Sequence, residues 1–482
     1  MAQPAFPAKR YLKNKTLVIG LMLVGLALVS IVALTSLSAS SIRGASSAID
    51  PGPRPLPAAA GAFYTTLTPN QNSVTARLTT VMTEVNQVTG GMQKTVGLGP
   101  GFNSNSCTSC HAYPANGGTS PPVNPLFAIF NLFGGTNTMP FFITTNGPVL
   151  VARFVHQADG VTPDGGVHNM FNISNRTDAP GCTGLVQPDF SGEAAKGNLI
   201  NRLTTPTYGE GLVELVQESD IVANLAANSS LKQTLGITGH ANYSGDDGGI
   251  NRFGWKAQIR SLVYFSGEAY NVEEGNSNEM FPNERDESVP ACLPPFPVGS
   301  TFHTKGVPDD RVDTGEAPKR PVNFSGDLER FGLFMRFLQP PTPVAPTPST
   351  TNGQVQFNNV GCVLCHQTSF TTPKSSIAAL SQQTATLYSD LAVHHMGPVL
   401  ADGIMQGQAG PDEFRTAPLW GIGQRLFFMH DGRTADIVQA IQDHFSLGNS
   451  QYPASEANGV VNNFNALSPT NQQDLINFLR SL

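Results

Sequence analysis

Charge is scarce in this chain. Only 13% of its 482 residues are charged, 28 basic against 35 acidic, for a net charge of −7. No basic stripe appears past the N-terminus, so nucleic acid is excluded as a partner. Tryptophan is nearly absent, with two residues, and the chain has six cysteines and ten histidines. No acidic run has EF-hand spacing. Glycine and proline, by contrast, are plentiful at 48 and 37. The loops must therefore be long, and order has to come from packing around bound groups as much as from regular structure. The length predicts two or three domains.

The sparse cysteines and histidines are not scattered. Four cysteines and two histidines fall in two strings, Cys107-Thr-Ser-Cys110-His111 and Cys362-Val-Leu-Cys365-His366. Each is a Cys-x-x-Cys-His, the attachment signature of a c-type haem. The two thiols add to the haem vinyls, and the adjacent histidine then ligates the iron from the proximal side. A zinc knuckle or a thioredoxin-like redox pair shares Cys-x-x-Cys but leaves the following histidine unexplained twice. The expected cofactors are two covalently bound haem c groups, with His111 and His366 as iron ligands. Cys182 and Cys292 remain, as a disulfide or as two free thiols.

The N-terminus reads as an export signal. Lys9, Arg10, Lys13 and Lys15 precede an uncharged run over residues 16–34, the pattern of a positive region before an apolar stretch. The run is longer than an ordinary signal core and nearly spans a bilayer. No clean Ala-x-Ala follows, so both a cleaved signal peptide and a retained inner-membrane anchor helix fit. Either way the basic residues stay cytoplasmic and the rest is exported. This predicts a periplasmic protein, in keeping with haem attachment outside the cytoplasm.

The remaining organisation predicts a mainly α chain with two cytochrome-c-like haem domains and long loops. Residues 1–45 are the signal or anchor and 46–90 a tether. Residues 91–339 are a first haem domain, 340–352 a Pro-rich linker, and 353–482 a second haem domain. The halves look like a diverged duplication. Each opens on Cys-x-x-Cys-His and carries a similar turn string, around Tyr208-Gly209 and Trp420-Gly421. Each closes on an amphipathic helix. The first of these helices has Leu328, Phe331, Phe334, Met335 and Leu338. The second follows Ser468-Pro469 and carries Leu475, Ile476 and Leu479. The first half has inserts over residues 112–200 and 270–322.

Further strings carry a family resemblance: Arg252-Phe-Gly-Trp255-Lys-Ala-Gln258, Asn278-Glu279-Met280, His394-His-Met-Gly397, Phe414 to Gly423, and His430-Asp-Gly-Arg433. Over residues 90–482 the chain resembles di-haem oxidoreductases related to bacterial di-haem cytochrome c peroxidases. In that family one haem takes an electron from a small donor protein and passes it to a second, peroxidatic haem. The resemblance implies that the His366 haem is the electron-transfer one and the His111 haem the reactive one. It assigns Glu279 to proton transfer during cleavage of the peroxide bond and Trp255 to the electron path. A solvated acid in a Glu-rich loop, with Glu273, Glu274 and Glu284, is the plain alternative for Glu279. A core aromatic is the plain alternative for Trp255. Arg415, His430 and Arg433 are expected at haem propionates, and Trp420 at packing near the second haem. The family often holds a calcium ion between its domains, which leaves calcium open here.

The sixth ligand of the His366 haem is expected at His444. It falls three residues after Ile441 and seven after Ile437, on the apolar face of a helix over residues 434–445. The family spacing from His430 also lands there. His394 and Met396 compete with it. The peroxidases proper carry Met at this position, and bis-His ligation lowers the haem potential relative to Met. For the His111 haem, His156, His168 and His240 are candidates, or the position is open. The function these features imply is peroxide reduction, or oxidation of another small substrate, with electrons from a cytochrome c or cupredoxin. The alternative is a non-catalytic di-haem electron carrier.

Overall fold

The computed structural model describes residues 46–55, 59–86, 103–164, 177, 184–276, 278, 280–281, 289 and 327–482. Glu279, His168, Cys182, Cys292 and the apolar run over residues 16–34 lie outside them. The chain divides into two units, Met1–Ser47 and Ala48–Leu482. Of the first, only Ser46 and Ser47 are described. No helix among the described residues is long and apolar enough to cross a membrane.

The second unit is mainly α. In chain order its principal helices are α1 (Pro69–Thr83), α2 (Cys107–Cys110), α3 (Pro125–Leu132), α4 (Glu210–Leu215), α5 (Leu262–Val272) and α6 (Asp327–Phe337). They continue with α7 (Pro348–Val360), α8 (Ile437–Asp443), α9 (Asn458–Asn465) and α10 (Pro469–Ser481). Sheet among the described residues is limited to three antiparallel ribbons. These pair β1 (Leu150–Phe154) with β2 (Leu199–Leu203), β3 (Phe370–Thr371) with β4 (Thr384–Ala385), and β5 (Val393–His395) with β6 (Glu413–Arg415).

Three apolar clusters organise the packing. The largest joins α1, α4, α5 and α6 through Leu78, Leu212, Leu262, Leu328 and Phe334. A second joins α7, α8, α9 and α10 through Phe357, Ile437, Phe464, Leu475 and Leu479. The insert over residues 112–200 builds its own small core, Leu126 and Ile129 of α3 against Phe142, Ala152 and Phe190. The closing helices form where their apolar spacing places them. Ser468 caps α10 by accepting from Asn471 N, and Pro469 opens its first turn. At the α7–α10 crossing a Cβ on Gly353 would lie 1.9 Å from the Asp474 carbonyl oxygen. Only glycine permits that approach.

Two connecting segments are more ordered than their composition suggests. Within the Pro-rich stretch 340–352, Thr347 and Thr350 form a capping box and Pro348 opens α7. Further up, Val344 N donates to Ser481 O. Near the start of the second unit, residues 48–55 strap across the C-terminal helices rather than hang as a tether. Asp50 pairs with Arg480 at 2.6 Å, both side chains nearly inaccessible, and Asp50 also accepts from Ile437 N. The Arg54 guanidinium donates to Leu482 O and Thr342 O. Trp420 also differs from expectation. It belongs to the largest cluster and lies against Gly209, where a Cβ would come within 2.5 Å of its ring. The matching turns of the two halves meet there, and Gly209 holds φ = 70°.

Candidate functional site

Both Cys-x-x-Cys-His strings form a single tight turn, with His111 N donating to Cys107 O at 2.9 Å and His366 N to Cys362 O at 2.8 Å. Each turn faces its own cavity, of about 210 Å³ at Cys362 and about 110 Å³ at Cys107.

The larger cavity receives His366 and His444 together. His366 Nδ1 lies 2.9 Å from Tyr388 O and His444 Nδ1 2.7 Å from Ala440 O. A carbonyl only accepts, so each Nδ1 carries the ring proton and each Nε2 lone pair is left bare. Burial holds His366 neutral, with its pKa brought down to about 4, and lowers His444 as well. Two neutral imidazoles with oriented Nδ1–H groups are the donor set for six-coordinate iron. His444 caps the C-terminal end of α8 rather than lying inside it.

The two competitors fare differently. His394 is held at both nitrogens, Nδ1 2.8 Å from Glu456 and Nε2 3.0 Å from Asp390. Burial alone would depress its pKa, but Cys365 and Asp390 carry it well above the usual value. An imidazolium clamped between carboxylates has no lone pair for iron. Met396 lines the cavity within the apolar cluster of Leu400 and Phe414.

Glu456 also accepts from Thr238 N at 2.8 Å, Thr238 Oγ1 at 2.7 Å and Gly239 N at 2.9 Å. Burial alone would raise its pKa, but His394 and these donors bring it down to about 2. A depressed carboxylate pKa stabilises the fold above its unfolded value, near 4.5, and that stabilisation is lost as pH falls toward 2. Glu456→Gln is expected to cost about 3 kcal/mol near neutral pH. Its thermal midpoint should also vary less than wild type between pH 4.5 and 2, as read by circular dichroism.

Buried guanidiniums complete this cavity. Arg415 donates to Arg252 O at 2.9 Å, yet its Nε has no hydrogen-bond partner. Arg425 makes no side-chain hydrogen bond, and its pKa is brought to about 10 by burial and then by Arg415. Guanidinium N–H groups left without acceptors in a cavity await an anion, and the two propionates of a haem fit them. His430 lines the same cavity but is held neutral by burial, with a pKa of about 4, so it offers an N–H rather than a charge. Arg433 lines neither cavity. Its guanidinium is taken by Asp431 and Val399 O. Arg425 had no motif to reveal it in the sequence.

The smaller cavity receives Cys107, Cys110 and His111. His111 Nδ1 is 3.1 Å from Gly118 O, and burial brings its pKa to about 4. No second histidine lines it among the described residues. His240 is engaged by Glu413 at 2.9 Å, and His156 lies in a loop of the insert. Ribbon β1–β2 supplies one wall. Val151 pairs with Arg202 and, by the two-residue strand period, shares its face with Arg153; all three line the cavity. The opposite wall follows from α5. Glu268 lies on it, and Glu273 and Glu274 follow its last residue, Val272. Glu274 accepts from Cys107 Sγ at 2.8 Å and from Asn86 Nδ2 at 2.8 Å. Burial raises the pKa of both Glu273 and Glu274 to about 7. They are therefore cavity acids, not the solvated loop acids their glutamate-rich string suggests.

Trp255 lines both cavities. Its Nε1 donates to Leu203 O at 2.7 Å, and its carbonyl accepts from Arg415 N at 2.8 Å, which fixes the indole to one ribbon of each half. Its ring meets His430 edge-on at 6.4 Å, and His430 stacks on Phe414 at 4.2 Å.

A fold of helices around two such cavities defines a two-haem redox protein, and the sequence comparison agrees. The family model "Di-haem oxidoreductase, putative peroxidase" matches residues 169–482, and the chain belongs to that family. The matched stretch holds the second Cys-x-x-Cys-His but not the first. No curated protein matches the chain. Among solved structures it is similar to a MauG-like protein associated with microbial copper homeostasis. That alignment has 18% identity and a TM-score of 0.24, over 34% of this chain and 54% of that one. It is similar also to the di-haem peroxidase BthA from Burkholderia thailandensis E264, with 13% identity and a TM-score of 0.28, over 48% and 65%. The chain thus spans between half and two thirds of these structures, and the likeness is partial.

Proposed function

We propose that this is an exported two-haem c-type oxidoreductase that reduces hydrogen peroxide with electrons from a small donor protein of cytochrome c or cupredoxin type. Cys107 and Cys110 would hold one haem and Cys362 and Cys365 the other. His111 would ligate the first iron, and His366 with His444 the second. Arg415 and Arg425 would bind propionates in the larger cavity, as would Arg153 in the smaller. Bound haem supplies a redox-active iron that exchanges single electrons and, where a coordination position is open, binds peroxide.

The protein's own groups set the direction. The observation that carries the reading is that Trp255 lines both a cavity in which two histidines, His366 and His444, keep Nε2 unengaged and a cavity with one histidine, His111, among the described residues. The paired histidines suit electron entry, and Trp255 is the link to the other side. There Glu268 and Glu273 line the space where protons must be held and delivered, a role the family resemblance gives to Glu279. Residues 16–34 direct the chain across the inner membrane, as a signal or as an anchor.

The test is an electron count. Protein reduced to one equivalent per molecule is mixed anaerobically with peroxide and donor. Reduction to water takes two electrons and two protons per peroxide, so two equivalents should disappear for each peroxide consumed. A carrier without catalysis would leave peroxide unspent.

A further inference from the structure

The wall between the cavities contains a cation with no access to water. Lys256 is 0% exposed. Its ammonium donates to Gly410 O at 2.8 Å and Glu413 O at 2.9 Å, and lies 3.2 Å from the Asp402 carboxylate. Asp402 is shared with Arg202, 2.5 Å away on strand β2, and Arg202 lines the smaller cavity. On its other side Lys256 sits 4.1 Å from the centroid of Phe414, which lines the larger cavity. His430 already covers one face of that ring at 4.2 Å, so the ammonium takes the opposite face. One anion and two cations therefore run from wall to wall beside Trp255, with a net charge of +1.

Burying such a triad is expensive. Apolar side chains of similar volume would fill the space at no electrostatic cost, and often with greater stability. A charge fixed in a dry interior acts at long range because little solvent screens it. Reduction adds an electron, so a nearby positive charge favours the reduced form and raises the potential of the group in the adjoining cavity. Bis-His ligation lowers that potential relative to the Met of the peroxidases, and the triad opposes this.

We propose that Lys256 is an electrostatic positioning residue, whose buried charge, balanced through Asp402 against Arg202, raises the reduction potential of the haem in the His366/His444 cavity. The proposal rests on the reading of that cavity given above.

The test uses three variants of the haem-loaded protein and the midpoint potential of its low-spin haem, measured by spectroelectrochemistry. Lys256→Met leaves the triad neutral and should shift the potential down. Asp402→Asn, read on the acid side of neutral so that Lys256 keeps its proton, raises its charge to +2 and should shift it up. The double variant restores +1 and should return close to wild type. If Lys256→Met does not fold, the upward shift in Asp402→Asn decides alone. Unmoved potentials, or single variants shifting in the same direction, would overturn the proposal, since a purely structural role loosens the wall either way. The two readings fail separately. Loss of the cavity reading shows as the absence of a six-coordinate low-spin haem in the wild type. Loss of the charge assignment shows only in the direction of the shifts.

Discussion

His444→Ala is expected to convert one of the two haems from six-coordinate low-spin to high-spin while leaving the other unchanged. His444 Nδ1 is committed to Ala440 O, its ring is held neutral by burial, and it faces the cavity that holds His366. The nearest alternatives are poor substitutes: His394 is clamped between Asp390 and Glu456, and Met396 is packed with Leu400 and Phe414. Paramagnetic resonance of the oxidised protein reads the change directly. His444→Met should keep the haem low-spin and raise its potential, because thioether ligation favours the reduced iron. A spectrum unmoved by His444→Ala would transfer the ligand role to Met396.

Trp255→Phe is expected to slow electron equilibration between the two haems on the order of tenfold or more, equivalent to ~1.4 kcal/mol or more of barrier. Both cavities should keep their ligands. Phenylalanine fills most of the space but loses the Nε1 bond to Leu203 O and part of the ring that meets His430. The stability cost should be small, about 1 kcal/mol for one buried hydrogen bond. Peroxide turnover should fall with the transfer rate, while the optical spectra of the separate haems stay as in wild type. Stopped-flow mixing with reduced donor measures both. An unchanged rate would mean that the electron bypasses the indole.

How much of this was legible in the sequence depends on how local each signal is. The two Cys-x-x-Cys-His turns close within five residues, so their geometry is written into the motif. Helices α6 and α10 follow from apolar spacing, and His444 from its distance to Ile437 and Ile441, although α8 ends one residue before it. The same rule that found Ser468-Pro469 applied to Thr347-Pro348, where proline richness hid the start of α7. What stayed hidden is long-range. Asp50 and Arg480 pair across 430 positions, and Arg202 meets Asp402 across 200. Neither carries a local pattern. Glu274 reads as a surface acid until the turn after α5 folds it onto Cys107. Arg425 and Lys256 are single cations whose importance comes from what the fold leaves beside them. Arg433 shows the converse. Its motif is local and specific, yet Asp431, two residues away, takes its charge.

The central claim is that the two haem sites are unequal, one with two ligand histidines, His366 and His444, and one with a single described histidine, His111. Electron paramagnetic resonance of the oxidised wild-type protein tests it most directly. The account predicts one low-spin bis-His signal from the His366 cavity and a second, distinct high-spin signal from the His111 cavity, in equal amounts. Two equivalent low-spin bis-His signals would contradict the account and leave a two-haem wire in place of an enzyme.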